Sequence, residues 1–71
     1  MTTYVINGVK VDENTPISFV ANPKRKGFQA FARYEVYQYA TTIGELMEFN
    51  KTDFMPDARH DHKHGFMHIV D

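Results

Sequence analysis

The sequence predicts an α+β domain: a small three-helix, helix-turn-helix-like fold with a short antiparallel sheet or wing built from N-terminal strands and one C-terminal strand. Three observations predict it. Asn7-Gly8 lies between apolar neighbours, apolar residues recur at spacings of three and four from Phe28 to Ala40, and Gly65 precedes a short apolar run, Phe66 to Val70.

Thr3 to Val11 reads as a strand or hairpin, because Asn-Gly supplies the two positive-φ positions of a tight turn between Tyr4-Val5-Ile6 and Val9, Val11. Asp12 to Pro16 is turn-rich, and Ile17 to Ala21 is a second apolar run of strand length. Asn22-Pro23-Lys24-Arg25-Lys26-Gly27 reads as a basic loop, since Pro23 restricts Asn22 to extended geometry and Gly27 permits a bend. The first helix spans Phe28 to Ala40, with Phe28, Phe31, Ala32, Val36, Tyr39 and Ala40 forming the apolar stripe and Arg33, Tyr34, Tyr37 and Gln38 falling largely elsewhere. Thr42-Ile43-Gly44-Glu45 matches a capping box, in which hydroxyl and carboxylate satisfy the orphan amides of a helix start, so a second helix runs from Ile43 to about Phe49. Asn50-Lys51 forms a turn, Thr52 or Asp53 caps a third helix that accommodates Pro56 in its first turn, and Gly65 closes that helix after His64. Phe66 to Val70 is the closing strand, pairing with the N-terminal strand or forming the stem of a wing.

At 71 residues the chain makes one domain, residues 1–71, because a chain this short buries only about 60% of its unfolded surface and does not divide into two cores. With 42% hydrophobic residues, six Phe and four Tyr, it has the bulk for a core rather than the composition of a disordered segment. The absence of cysteine rules out a disulfide framework and points to a reducing, cytoplasmic setting. No apolar stretch approaches the roughly 20 residues of a membrane span, and Met1 to Asn7 lack the basic start and apolar core of a signal peptide.

The net charge is −1, and its distribution carries more than its sum. Asn14 to Tyr34 holds four cations, Lys24, Arg25, Lys26 and Arg33, and no acid. Glu35 to Asp71 holds seven acids against Lys51, Arg59 and Lys63. One patch attractive to an anion and a mostly acidic remainder follow. In the helix-turn-helix reading the third helix is the presenting helix, with Lys51, Thr52, Arg59, His60 and Lys63 as polar candidates and Phe54 and Ala58 facing the core. Asp53, Asp57 and Asp61, recurring every four residues, oppose that reading, because carboxylates facing phosphates repel. They pair, in this reading, with the helix N-terminus or in the neighbourhood of Arg59 and Lys63. The loop Lys24-Arg25-Lys26, extended by Arg33, is the stronger anchor for phosphates or an acidic surface, and Tyr37 with Phe28 or Arg33 suits a protein interface.

His60, His62, His64 and His68 place two imidazoles at i and i+4, yet without thiolates or a well-placed fourth ligand no metal and no cofactor are expected. Protonating all four would move the formal charge from −1 to +3, so affinity for an anion should rise as the pH falls through about 6.5. Catalysis is not expected: there is no Cys, Ser18 is the only Ser, and four scattered glycines form no phosphate loop.

The run Asn22-Pro23-Lys24-Arg25, then Ala32-Arg33-Tyr34-Glu35 with Tyr37, Thr42-Ile43-Gly44-Glu45, Thr52-Asp53, Asp61 and Gly65-Phe66 resembles short bacteriophage-encoded proteins of unassigned role with a winged-helix-like order of helices. The resemblance covers about residues 22 to 70. It implies a phage origin, residence in the host cytoplasm and a regulatory or host-takeover role, and it carries over no binding residue. The turn departs from the helix-turn-helix norm in holding Asn50 rather than Gly. Two functions stand side by side. One is a regulator that binds nucleic acid through the basic loop and third helix, and the other is a protein-protein inhibitor or modulator of a host enzyme such as RNA polymerase, a nuclease or a defence complex. The helix order favours the first, the acidic C-terminal half the second. Either is compatible with a homodimer and neither with a membrane.

Overall fold

In the computed structural model, which describes residues 3–70, the chain reverses at Asn7 and Gly8 with φ of 50° and 87°. Both values are the ones a two-residue hairpin turn demands. The turn joins β1 (Thr3–Ile6) to β2 (Val9–Asp12) in an antiparallel register that sets Ile6 opposite Val9 and Tyr4 opposite Val11. Asp12 and Thr15 then lock the following turn, the Asp12 carboxylate accepting from the Asn14 amide and the Thr15 hydroxyl accepting from the Asp12 amide.

Three helices and a second sheet follow: β3 (Ile17–Phe19), α1 (Gln29–Tyr37), α2 (Ile43–Phe49), α3 (Phe54–Lys63) and β4 (Met67–Ile69). This is the α+β order expected, with a refinement in the sheet. The closing strand β4 pairs antiparallel with β3, Ser18 opposite His68, and not with β1. The domain therefore carries two separate two-stranded ribbons. Ile6, Val11, Ile17, Tyr37, Ala40, Ile43, Leu46, Phe54, Ala58 and Met67 form the core between them and the helices, with Tyr4 edge-on to Phe54 at 5.6 Å between ring centres.

The rotation of α1 about its axis differs from expectation. Its buried residues are Tyr34 and Tyr37, only 1% and 2% exposed, whereas Phe28, Val36 and Tyr39 from the expected stripe face outward. The cause is the amphipathic character of tyrosine, whose ring fills a core provided its hydroxyl finds a partner. The Tyr34 hydroxyl reaches the carbonyls of Val20 (2.7 Å) and Phe66 (3.1 Å), tying the ends of β3 and β4 together, and the Tyr37 hydroxyl donates to Asp57 at 2.8 Å. The helix also stops at Tyr37, short of Ala40. The amides of Tyr39 and Ala40 donate to carbonyls three residues back, which tightens the last turn and drops Ala40 into the core.

The caps of α2 and α3 stand at the expected residues, Thr42 and Asp53, but their side-chain bonds differ in part from the sequence reading. The Thr42 hydroxyl accepts from the Glu45 amide at 3.2 Å as a capping box requires, but the Glu45 carboxylate reaches back to the amide and hydroxyl of Thr41 instead of the Thr42 amide. For α3 the N-cap position is Asp53, as expected, but its side chain makes no cap bond, and the turn leading into the helix is held by Asn50, whose side-chain oxygen accepts from the amides of Thr52 and Asp53. At the other end Gly65, at φ 78°, closes α3 as expected, and the Phe66 amide returns to the Asp61 carbonyl at 2.8 Å. Among the described residues no helix is long and apolar enough to cross a membrane.

Candidate functional site

The two acids of α3, Asp57 and Asp61, are both engaged by cations from elsewhere in the fold, and Asp53 lies just ahead of the helix. Phe54, Ala58 and Asp61 fall at i, i+4 and i+7 and are all buried, Asp61 to 3% exposure, so Asp61 shares the core-facing stripe. Asp57 borders the same side. The Arg33 guanidinium donates to both of its oxygens, Nε at 2.8 Å and Nη2 at 3.4 Å, and the Tyr37 hydroxyl joins them. Asp61 is met by Lys24, whose Nζ lies 2.8 Å from Oδ1 with the two side chains 15% and 4% exposed. That approach is an ionic contact and not a directed hydrogen bond, because Oδ1 accepts none. The ammonium also lies 5.1 Å from the centre of the Phe66 ring and 5.9 Å from that of Tyr34. Burial, and secondarily the charge of Asp61, push the Tyr34 hydroxyl up to about 12. Burial and the bond to Asp57 raise Tyr37 as well, and the Asp57 hydrogen bond raises Arg33 further above its already high value. Both phenols are thus neutral donors across the range in which proteins work.

Asn22 fixes how the basic loop enters this arrangement. Its side-chain oxygen accepts from the Lys24 amide at 2.9 Å, and its amide group donates to the Phe31 carbonyl and to Glu35 on α1. Lys24 is thereby turned inward against Asp61 in the C-terminal half of α3, and the next two residues, Arg25 and Lys26, are exposed. The cleft among Lys24, Ala30, Arg33, Tyr34, Tyr37, Asp57 and Asp61 measures about 10 Å³, room for one water and no larger ligand.

With Asp57 and Asp61 turned in, the outer side of the last two turns of α3 presents Arg59, His60, Lys63 and His64, all exposed. The His60 and His64 rings lie 4.3 Å apart, and His64 stacks on Phe66 at 5.8 Å. The hairpin braces the flank. Arg59 donates from Nε and Nη2 to the Val5 carbonyl, and the Asn7 side chain donates to the Arg59 carbonyl at 2.9 Å, which identifies that atom as the amide nitrogen, so the His62 Nδ1 lying 3.0 Å from it is the acceptor. Among the described residues no three His, Cys, Asp or Glu side chains form a group that could hold a metal ion.

No family model, curated protein or solved structure matches this chain.

Of the ten residues singled out from the sequence, the structure leaves Arg25, Lys26, His60 and Lys63 exposed, the first two directly following Lys24, which docks on α3 at Asp61, with Arg59 on the flank toward the hairpin. It removes three. Tyr37 is in the core, Lys24 is held by Asp61, and Arg33 is held by Asp57. None of these presents a free group to a partner, and the pairing of Asp57 and Asp61 with α1 and the loop replaces the expected pairing with Arg59 or Lys63. Lys51 and Thr52 are exposed but precede α3, about 15 Å from its far end for a ten-residue helix. Sequence reasoning missed Asn22, Asp61 and Phe66. Asp61 left one signal, its place on the Phe54–Ala58 stripe.

Proposed function

We propose that the chain is a small regulatory protein that binds nucleic acid through the outer face of α3's C-terminal half together with Arg25 and Lys26. The observation that carries this reading is the sorting of charge on α3: both of its carboxylates, Asp57 and Asp61, are engaged by cations from α1 and the loop before it, leaving Arg59, His60, Lys63 and His64 outward. The objection that an acidic helix repels phosphates is thereby met for this half of the helix. A positive face without a glycine-rich loop or a base-reading pattern supports backbone contact more than sequence readout. A bacteriophage regulator, as the sequence resemblance implies, fits a domain of this size.

Fluorescence anisotropy with a labelled duplex, titrated across salt concentrations, tests it. Lys63→Ala, Arg25→Ala and Lys26→Ala should each weaken binding and each lower the salt slope by about one. Thr52→Ala, at the opposite end of the helix, should change neither. Absence of binding at low salt, or affinity that ignores both salt and these substitutions, would refute the assignment. The other reading, a modulator of a host enzyme, is favoured by the apolar side chains that α1 turns to solvent.

A further inference from the structure

We infer that the outward face of α1 is the interface of a homodimer, with the two α1 helices antiparallel across a two-fold axis. The inference is independent of the nucleic-acid reading. Ala32 and Val36, at i and i+4, lie on the side of α1 roughly opposite the buried Tyr34 and Tyr37, and the exposed aromatics Phe28 and Tyr39 flank its two ends. Phe28 is 58%, Val36 45% and Tyr39 72% exposed, and Phe49 of α2 adds a fourth large side chain at 45%. A helix with apolar residues on both sides has two packing partners, and this chain supplies one of them.

Shape and charge say what the other is. Ala32, Arg33, Val36, Tyr37, Phe49 and Asn50 line an open cleft of about 250 Å³ between α1 and α2, deep enough for an aromatic ring. The stripe itself carries no charge. Glu35 beside it is bonded to Asn22, and Arg33 on the other flank to Asp57. Uncommitted charges lie at the ends: Arg25 and Lys26, exposed ahead of α1, and Glu48, exposed on α2, which packs beside the C-terminal half of α1. An antiparallel arrangement sets the basic end of one copy against the acidic end of the other, whereas a parallel one opposes like charges. It also brings Phe28 of each copy to the Val36–Phe49 cleft of its mate. At 150–250 Å² per fully buried aromatic, the exposed fractions of Phe28, Tyr39 and Phe49 supply roughly 350 Å² per copy, about half of the ~800 Å² of a standard interface and the size of a weak, concentration-dependent dimer. Small domains commonly gain core in this way.

Sedimentation equilibrium of the full chain tests the inference. A concentration-dependent dimer is expected, with Val36→Glu and Tyr39→Lys each raising the dissociation constant at least about tenfold while far-UV circular dichroism stays that of the native fold, since both side chains are exposed. The antiparallel pairing has its own test: Arg25→Glu and Glu48→Lys should each weaken the dimer, and the two together in one chain should restore it. A monomer at every concentration, or a dimer indifferent to V36E and Y39K, would overturn the interface. Additive loss in the double charge reversal would overturn the antiparallel arrangement. V36E and Y39K touch no residue of the proposed nucleic-acid face, so these two variants test the dimer separately from nucleic-acid binding, whereas Arg25 serves both proposals.

Discussion

Lys24 Nζ lies 2.8 Å from Asp61 Oδ1 inside the domain, linking the loop before α1 to the buried side of α3. A carboxylate 3% exposed with no directed hydrogen bond to Oδ1 depends on that ammonium. Lys24→Met should therefore destabilise by about 3 kcal/mol, because it leaves the buried carboxylate uncompensated, and Lys24→Met with Asp61→Leu should recover most of the loss. Urea unfolding of the two single variants and the double variant measures the coupling. Additive effects would mean that the contact contributes nothing.

Gly44→Ala has a diagnostic sign. In an exposed helix the substitution stabilises by up to about 1 kcal/mol, but here the Gly44 amide donates to the Glu13 carbonyl at 2.8 Å and an added Cβ would sit 2.9 Å from that same oxygen. The first turn of α2 would have to back away from the loop after β2. A loss of about 1–3 kcal/mol in thermal melts is expected, and any gain in stability would refute the close approach.

The α3 cap is tested by contrast. Asn50→Ala removes the acceptor of two amides and should cost about 1 kcal/mol. Asp53→Ala, which removes no cap bond, should cost clearly less. Equal losses would mean that the Asn50 bonds support the start of the helix no more than the Asp53 side chain does.

Alkaline pH should unfold the domain through two tyrosines. Tyr34 titrates at about 12 when folded and Tyr37 is raised too, mainly by burial in both cases, against an ordinary value of 10. A raised folded value means that the stabilisation is complete below pH 10 and is lost as the pH climbs toward the folded value. Each tyrosine contributes a fall of about 1.4 kcal/mol per pH unit in that window. Denaturant midpoints measured from pH 9 to 12 should show it, and Tyr37→Phe should flatten the slope by about one tyrosine's share. An unchanged slope in that variant would remove Tyr37 from the account.

The elements were legible because their signals are local. Asn7-Gly8, Thr42 with Glu45, and Gly65 each act through the backbone within a few residues, and the strands and helices begin or end beside them. The rotation of α1 was not legible. Spacing marked a true apolar stripe, but hydropathy does not say which of two apolar sides meets the core when the other is built from tyrosines whose hydroxyls find partners 14 to 32 residues away. The basic loop was legible as a loop and as a charge. What remained hidden was that Lys24 turns inward, since this depends on Asn22 and on a carboxylate 37 residues further on. Sequence order shows that cations and acids are present, whereas packing decides which of them cancel.

The two ribbons have a consequence for the order in which the chain is made. Asn7 closes on the backbone of Arg59 and the ring of His62, 52 and 55 residues later, and among the described residues β3 pairs only with β4, across all three helices. As the polypeptide leaves a ribosome, Ile6, Val11 and Ile17 emerge long before the residues that cover them. The hairpin and helices can form in passing, but their docking waits for α3 and β4, so folding of the domain is dominated by distant contacts and the half-made domain is sticky.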